Sequence, residues 1–169
     1  MKYSKRAETF RQAKARYTRF LASVLWKLTG DRELFTEAMQ YALLGMWQHV
    51  EKLNGKKAGA YIYRIALSGA SKAWRDRVGR NGEISKSQIG VEKSPDERLD
   101  RMELVTMVRR AVSQLPAKQG RAVVMRYLEQ QDYGSIAAEL SCTEAGARSH
   151  VSKAIATLKR KLATVAKMG

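Results

Sequence analysis

Arg148, Ser149, Ser152 and Lys153 crowd one side of a stretch whose apolar residues Val151, Ile155, Leu158 and Leu162 recur at helical spacing. Lys159 and Arg160 extend the polar side. Guanidinium, ammonium and hydroxyl groups on the open face of a helix can donate to base edges and phosphate oxygens, so this face suits a nucleic-acid groove. A solvated helix of an ordinary bundle would show the same pattern. The elements before it must position it. Tyr133, Ile136, Ala137 and Leu140 form the inward stripe of a shorter helix, with Asp132 in front as an N-cap. A short polar turn follows, and Thr143 caps the longer helix. Gly146 and Ala147 fall inside that helix, where a glycine costs roughly 1 kcal/mol relative to alanine.

The charge balance points the same way. Among 169 residues, 32 are Lys or Arg and 16 are Asp or Glu, giving a net charge of +16. Such an excess implies an anionic partner: nucleic acid, an acidic membrane surface or an acidic protein. The hydrophobic share of 44% is enough for real cores and argues against global disorder. Cys142 is the only cysteine, so no disulfide or cysteine-based metal site forms within the chain. The two histidines, His49 and His150, stand far apart without companion ligands, and no metal or other cofactor is expected. No paired carboxylates, nucleophile triad or phosphate loop stands out, so an enzyme is not expected. The segment MKYSKRAETFRQAKARY lacks the apolar core of a signal peptide, and the apolar run near 41–47 is too short to span a bilayer. The expectation is a cytoplasmic protein without a membrane partner.

The order along the chain predicts an all-α fold. Residues 2–29 form a helix with Phe10, Ala13, Tyr17, Phe20, Leu21, Val24, Leu25 and Leu28 on one stripe, stopped at Gly30, with Asp31 as the next N-cap. The second helix, Arg32 to Val50, carries Glu33, Glu37 and Gln40 early. These acids suggest a partner different from that of the basic surfaces, or only the preference of acids for a helix start. A loop with Asn54-Gly55 precedes a long helix over Tyr61–Val78. Between Lys52 and Arg80 lie eight basic residues and one acid, Asp76, with Tyr61, Tyr63 and Trp74 among them. Rings on which bases stack, interleaved with cations that hold the backbone, suit single-stranded nucleic acid. Tyr61 is expected in contact; Trp74 fits the core equally well.

Residues 81–103 change in composition: six acids, four bases, Gly, Ser and Pro95, with little apolar periodicity. This is the expected linker between a domain at 1–80 and one at 104–169. The second domain is a four-helix unit. Leu104–Leu115 comes first, and a helix begun by Pro116 runs to about Glu129. The helix-turn-helix pair completes it.

The C-terminal unit strongly resembles region 4 of sigma-70-family RNA polymerase sigma factors. The shared pattern is Leu115-Pro116, Arg126-Tyr127-Leu128, Tyr133…Ile136-Ala137…Leu140, and Thr143-Glu144 leading to Arg148 and Ser149. The N-terminal half resembles region 2 through Leu28-Thr29-Gly30-Asp31, the run from Glu37 to Trp47, and Tyr61-Ile62-Tyr63-Arg64-Ile65-Ala66. Two such regions and a short linker match the minimal, extracytoplasmic-function type.

The resemblance implies a promoter-specificity subunit that is not an enzyme. It would bind the clamp and flap of core RNA polymerase and direct initiation at −10 and −35 elements, meeting promoter DNA as duplex and as single strand. An anti-sigma factor is a further implied partner. Glu37, Gln40 and Tyr41 would meet polymerase. Asn54, Lys56, Lys57, Tyr61, Arg64, Ser68, Lys72 and Arg75 would hold the −10 strand. Arg148, Ser149, Ser152, Lys153 and Arg126 would engage the −35 element, with Arg148 suited to a guanine edge. The alternatives are a stand-alone helix-turn-helix regulator, which leaves the acidic helix unexplained, and a non-enzymatic RNA-binding protein.

Overall fold

The computed structural model describes residues 2–85 and 97–168. Among these the fold is all-α: seven helices and one short 3-10 turn. The helices are α1 (Lys2–Thr29), α2 (Arg32–Gln48), α3 (Ala58–Ser85), α4 (Glu97–Ser113), α5 (Ala117–Tyr127), α6 (Tyr133–Leu140) and α7 (Glu144–Met168), with the 3-10 turn at Val50–Lys52.

The caps follow the sequence logic. Asp31 Oδ1 accepts from the Leu34 N–H at 2.8 Å to start α2, and Asp132 Oδ1 accepts from the Ser135 N–H at 2.8 Å to start α6. Thr143 Oγ1 accepts from the Gly146 N–H at 3.0 Å to start α7. Gly146 therefore sits in the first turn of α7, where its amide needs a cap. The expectation of a glycine weakening the helix interior is corrected by that position. Ala147 is fully buried in the helix-turn-helix core. Pro116 stands at the N-cap of α5, one residue outside the expected first turn.

Two helices run well beyond their expected limits. α3 starts at Ala58 and continues past Val78 to Ser85; Gly79 and Gly82 alone do not stop a helix already under way. α4 begins at Glu97, not Leu104. Pro95 precedes it in the sequence, and Glu97 and Asp100 favour a helix start electrostatically. The expected linker, 81–103, is thus helical over 81–85 and 97–103, and the rest of it lies outside the described residues.

The core has two parts. The larger joins Leu21, Leu25, Leu28, Leu34, Met46, Ile62, Leu67 and Trp74 of the first half to Ala111, Val112, Leu115, Val123, Val124 and Leu158 of the second. The smaller, Ala122, Met125, Ile136, Ala137, Leu140, Ala147 and Val151, belongs to the helix-turn-helix. Three contacts show how closely the halves approach. Leu67 of α3 packs at Gly120 of α5, where an added Cβ would lie 3.2 Å from Leu67 Cδ1. Lys27 Nζ meets Glu129 Oε1 at 3.2 Å. The Arg109 guanidinium lies against Gly30, within the space a Cβ would take.

Candidate nucleic-acid interface

α7 keeps its expected polar face exposed, but its buried stripe is shifted: Ile155 and Leu162 are only half-buried. Ala147, Val151, Ala154 and Leu158 are buried, while Arg148, Ser149, Ser152 and Lys153 are exposed on the outer side. The turn before α7 holds it at a fixed angle to α6: Ser141 takes a left-handed conformation, φ 52° and ψ 50°, and its N–H closes the last turn of α6.

Arg148 is held in two ways. It pairs loosely with Glu144 one turn back, at 3.5 Å, and its Cζ lies 5.0 Å from the centroid of the Tyr133 ring. Arg126 stacks on the same ring at 4.8 Å and donates to the Gln131 carbonyl at 3.1 Å. One aromatic platform therefore steadies two guanidinium groups, each contact worth about 0.5–2 kcal/mol. The role of Tyr133 was not evident from its inward place on α6; only the fold brings Arg126 and Arg148 to it. Tyr127, Tyr133, Arg148, Ser152 and Lys159 line a shallow concavity beside the helix. On the same helix His150 has its pKa lowered, first by burial and then by the nearby cations of Lys118 and Lys153.

The expected −10 residues divide. Tyr61, Arg64, Ser68 and Lys72 line a groove between α2 and α3 of about 460 Å3, together with Tyr41, Leu44, Gln48 and His49. Their spacing of three and four residues puts them on one face of α3. Lys52 Nζ lies 5.1 Å from the Tyr61 ring centroid, and His49 meets that ring edge-on at 5.7 Å. His49, Leu44 and Gln48 were not among the expected contacts; all three lie on the last turn of α2 or just after it. Asn54, Lys56 and Arg75 are exposed but lie off the groove. Lys57 faces another cleft, against α5 and α6.

Two of the interleaved aromatics are structural. Tyr63 is 2% exposed and packs on Phe20 with its ring under the Arg121 guanidinium, 5.1 Å away. Burial, with the Glu129 charge nearby, pushes its phenol pKa far up, against a smaller opposing pull from Arg121. Trp74 is 4% exposed and donates its indole N–H to the Leu28 carbonyl at 3.0 Å. Neither ring is available for base stacking.

The acidic face of α2 is paired within the chain. Arg77 Nη2 lies 2.7 Å from Asp31 Oδ1 and 3.7 Å from Glu33 Oε2, and Arg80 Nη2 lies 2.7 Å from Glu37 Oε1. The Tyr41 hydroxyl donates to Asp76, which raises the pKa of the phenol, and Lys72 Nζ stands 4.8 Å over the Tyr41 ring. Of the expected polymerase contacts, Gln40 is exposed, while Glu37 and Tyr41 are half-buried and engaged by α3. Among the described residues no group of His, Cys, Asp and Glu could hold a metal ion, and no helix is long and apolar enough to cross a membrane.

The architecture is that of a helix-turn-helix protein with a basic recognition helix and a second, aromatic-lined basic groove. Residues 14–80 match the family description Sigma-70 region 2, and residues 106–158 match Sigma-70, region 4. The ECF RNA polymerase sigma factor SigL from strains of Mycobacterium tuberculosis is 31% identical over 153 residues, 83% of this chain and 84% of that protein. A solved structure, the sigma factor RpoE in complex with the anti-sigma factor NepR from Bartonella quintana, is similar with 21% identity. It covers 90% of this chain and 96% of that one, with a TM-score of 0.46. The chain belongs to the ECF group of the sigma-70 family of RNA polymerase sigma factors. It is a promoter-specificity factor that binds core RNA polymerase and directs transcription initiation at −10 and −35 elements.

Proposed function

We propose that the segments divide this work as 1–80 for the polymerase clamp and the −10 element and 104–169 for the −35 element, in the cytoplasm and without a catalytic group of the chain's own. The carrying observation is the outer face of α7: Arg148, Ser149, Ser152 and Lys153 exposed together over a buried apolar stripe, with Arg148 and Arg126 steadied on one ring. In the major groove, Arg148 pairs with a guanine edge, Ser149 and Ser152 meet bases, and Lys153 and Arg126 take phosphates. The α2–α3 groove holds the non-template strand of the −10 element. Extracting a base from the stack costs a few kcal/mol, and Tyr61, Arg64, Ser68 and Lys72 offset it by stacking and ion pairing. Glu37, Gln40 and Tyr41 meet the clamp.

An anti-sigma factor completes the partner set. Its support is an apolar groove between α4, α5 and α7, where Leu104, Val105, Tyr127 and Leu128 are exposed. Run-off transcription tests the whole assignment. Purified protein with core polymerase starts transcripts at defined sites, and neither component does so alone. A protein that binds duplex DNA tightly by itself as a dimer, and never directs initiation, is instead a stand-alone regulator.

A further inference from the structure

A second cluster of cations is set apart from the α2–α3 groove. A cleft of about 300 Å3 opens between the two halves, walled by Lys57, Ala60 and Tyr63 on one side and by Ala117, Lys118, Arg121, Glu139, Leu140 and Ser141 on the other. Three properties converge there. Three cations line it against one carboxylate, Glu139. That carboxylate is already matched by Arg121 at 2.6 Å, and a guanidinium keeps further donors after one such bond. Ala117 and Lys118 are the first residues of α5, whose N-cap, Pro116, gives the opening amides no side-chain partner. Uncapped amides at the positive end of a helix favour an anion.

We propose that this cleft binds a small phosphorylated molecule, its phosphate held by Lys57, Lys118, Arg121 and the first amides of α5. The volume is at the lower end for a ligand pocket. It admits a phosphate ester or nucleotide phosphate and is too confined for a duplex. Because Lys57 belongs to one half and Lys118 and Arg121 to the other, the bound phosphate also ties the halves together. A ligand of the folded form alone raises the melting temperature with concentration.

Pyrophosphate is the probe. The full chain, titrated calorimetrically in chloride buffer, saturates at one pyrophosphate per chain and melts at a higher temperature with it. Lys118→Ala and Lys57→Ala, both at exposed positions, each weaken binding about tenfold. Lys14→Ala, an equally exposed cation on α1, leaves it unchanged. Absence of saturable binding overturns the proposal. So does equal weakening by Lys14→Ala, which marks diffuse attraction to a chain of net charge +16. If Lys118→Ala weakens binding of a short unrelated duplex while pyrophosphate does not bind at all, the phosphate comes from the DNA backbone and the small-molecule site is excluded.

Discussion

Arg77, near the end of α3, donates to the Asp31 carboxylate at 2.7 Å, and the same carboxylate oxygen accepts from the Leu34 N–H at 2.8 Å. One side chain thus caps α2 and ties it to the far end of its neighbour. The Leu34 amide first, and the Arg77 guanidinium second, hold the Asp31 pKa below its ordinary value. A carboxyl depressed in the folded chain contributes stability above the unfolded pKa, about 3.9, and loses it as pH falls through the folded value. Asp31→Ala therefore costs about 1 kcal/mol at neutral pH, the typical worth of a cap. The gap from the parent closes below about pH 4. Urea unfolding of both proteins at pH 7 and pH 3 reads this directly; an equal gap at both values refutes it.

Trp74 separates a structural ring from a base-contacting one. Its indole N–H satisfies the buried Leu28 carbonyl, so Trp74→Phe removes both volume and a hydrogen bond. The expected cost is about 1–3 kcal/mol in urea unfolding, with the unmade carbonyl bond the larger share. Promoter discrimination by the holoenzyme, measured below the melting range, is unchanged. Loss of −10 discrimination without loss of stability would return Trp74 to the DNA.

Arg148 and Lys153 are both exposed on α7, yet their chemistry predicts different losses. A guanidinium can address a guanine edge with two parallel bonds, so Arg148→Ala relaxes preference at one −35 position by about 1–3 kcal/mol. Lys153 is a flexible point charge without acidic partner among the described residues, suited to phosphate. Lys153→Ala weakens binding about uniformly across sequences and lowers the salt slope by about one. Holoenzyme binding to a panel of −35 variants at two salt concentrations distinguishes them. A uniform loss in Arg148→Ala would make that residue a phosphate contact as well.

Features with one local mechanism were legible in the residues alone. Asp31, Asp132 and Thr143 are short acceptors in front of apolar-periodic runs, and each caps its helix. Of the expected α7 stripe, Val151 and Leu158 are buried and Ile155 and Leu162 only half-buried. What escaped is tertiary. Tyr61 and Tyr63 lie two residues apart, so a helix turns one toward the groove and the other into the core, and nothing local says which. Arg77 and Arg80 look like free cations until the fold sets them beside acids 46 and 43 residues away. The α2 acids, legible as a different surface, are for the same reason already partnered. The shared core between Leu67 and Gly120 is equally invisible, because apolar periodicity gives a buried face and not its neighbour.

Gly30 and Arg109 make that inter-half packing testable. Gly30 ends α1 at φ +64°, a left-handed conformation that costs a residue with a Cβ about 1–3 kcal/mol. The space beside its Cα is taken by the Arg109 guanidinium of α4. Gly30→Ala therefore acts twice, by straining the turn and by expelling the guanidinium. Arg109→Ala acts only by removing the contact. If the halves are joined here, the two substitutions share one loss, and the double variant is less destabilised than the sum of the singles by at least about 0.5 kcal/mol. Urea unfolding of the four proteins supplies the cycle. Strict additivity would leave only the backbone strain at Gly30 and would mean that Arg109 merely rests against the turn without holding the halves together.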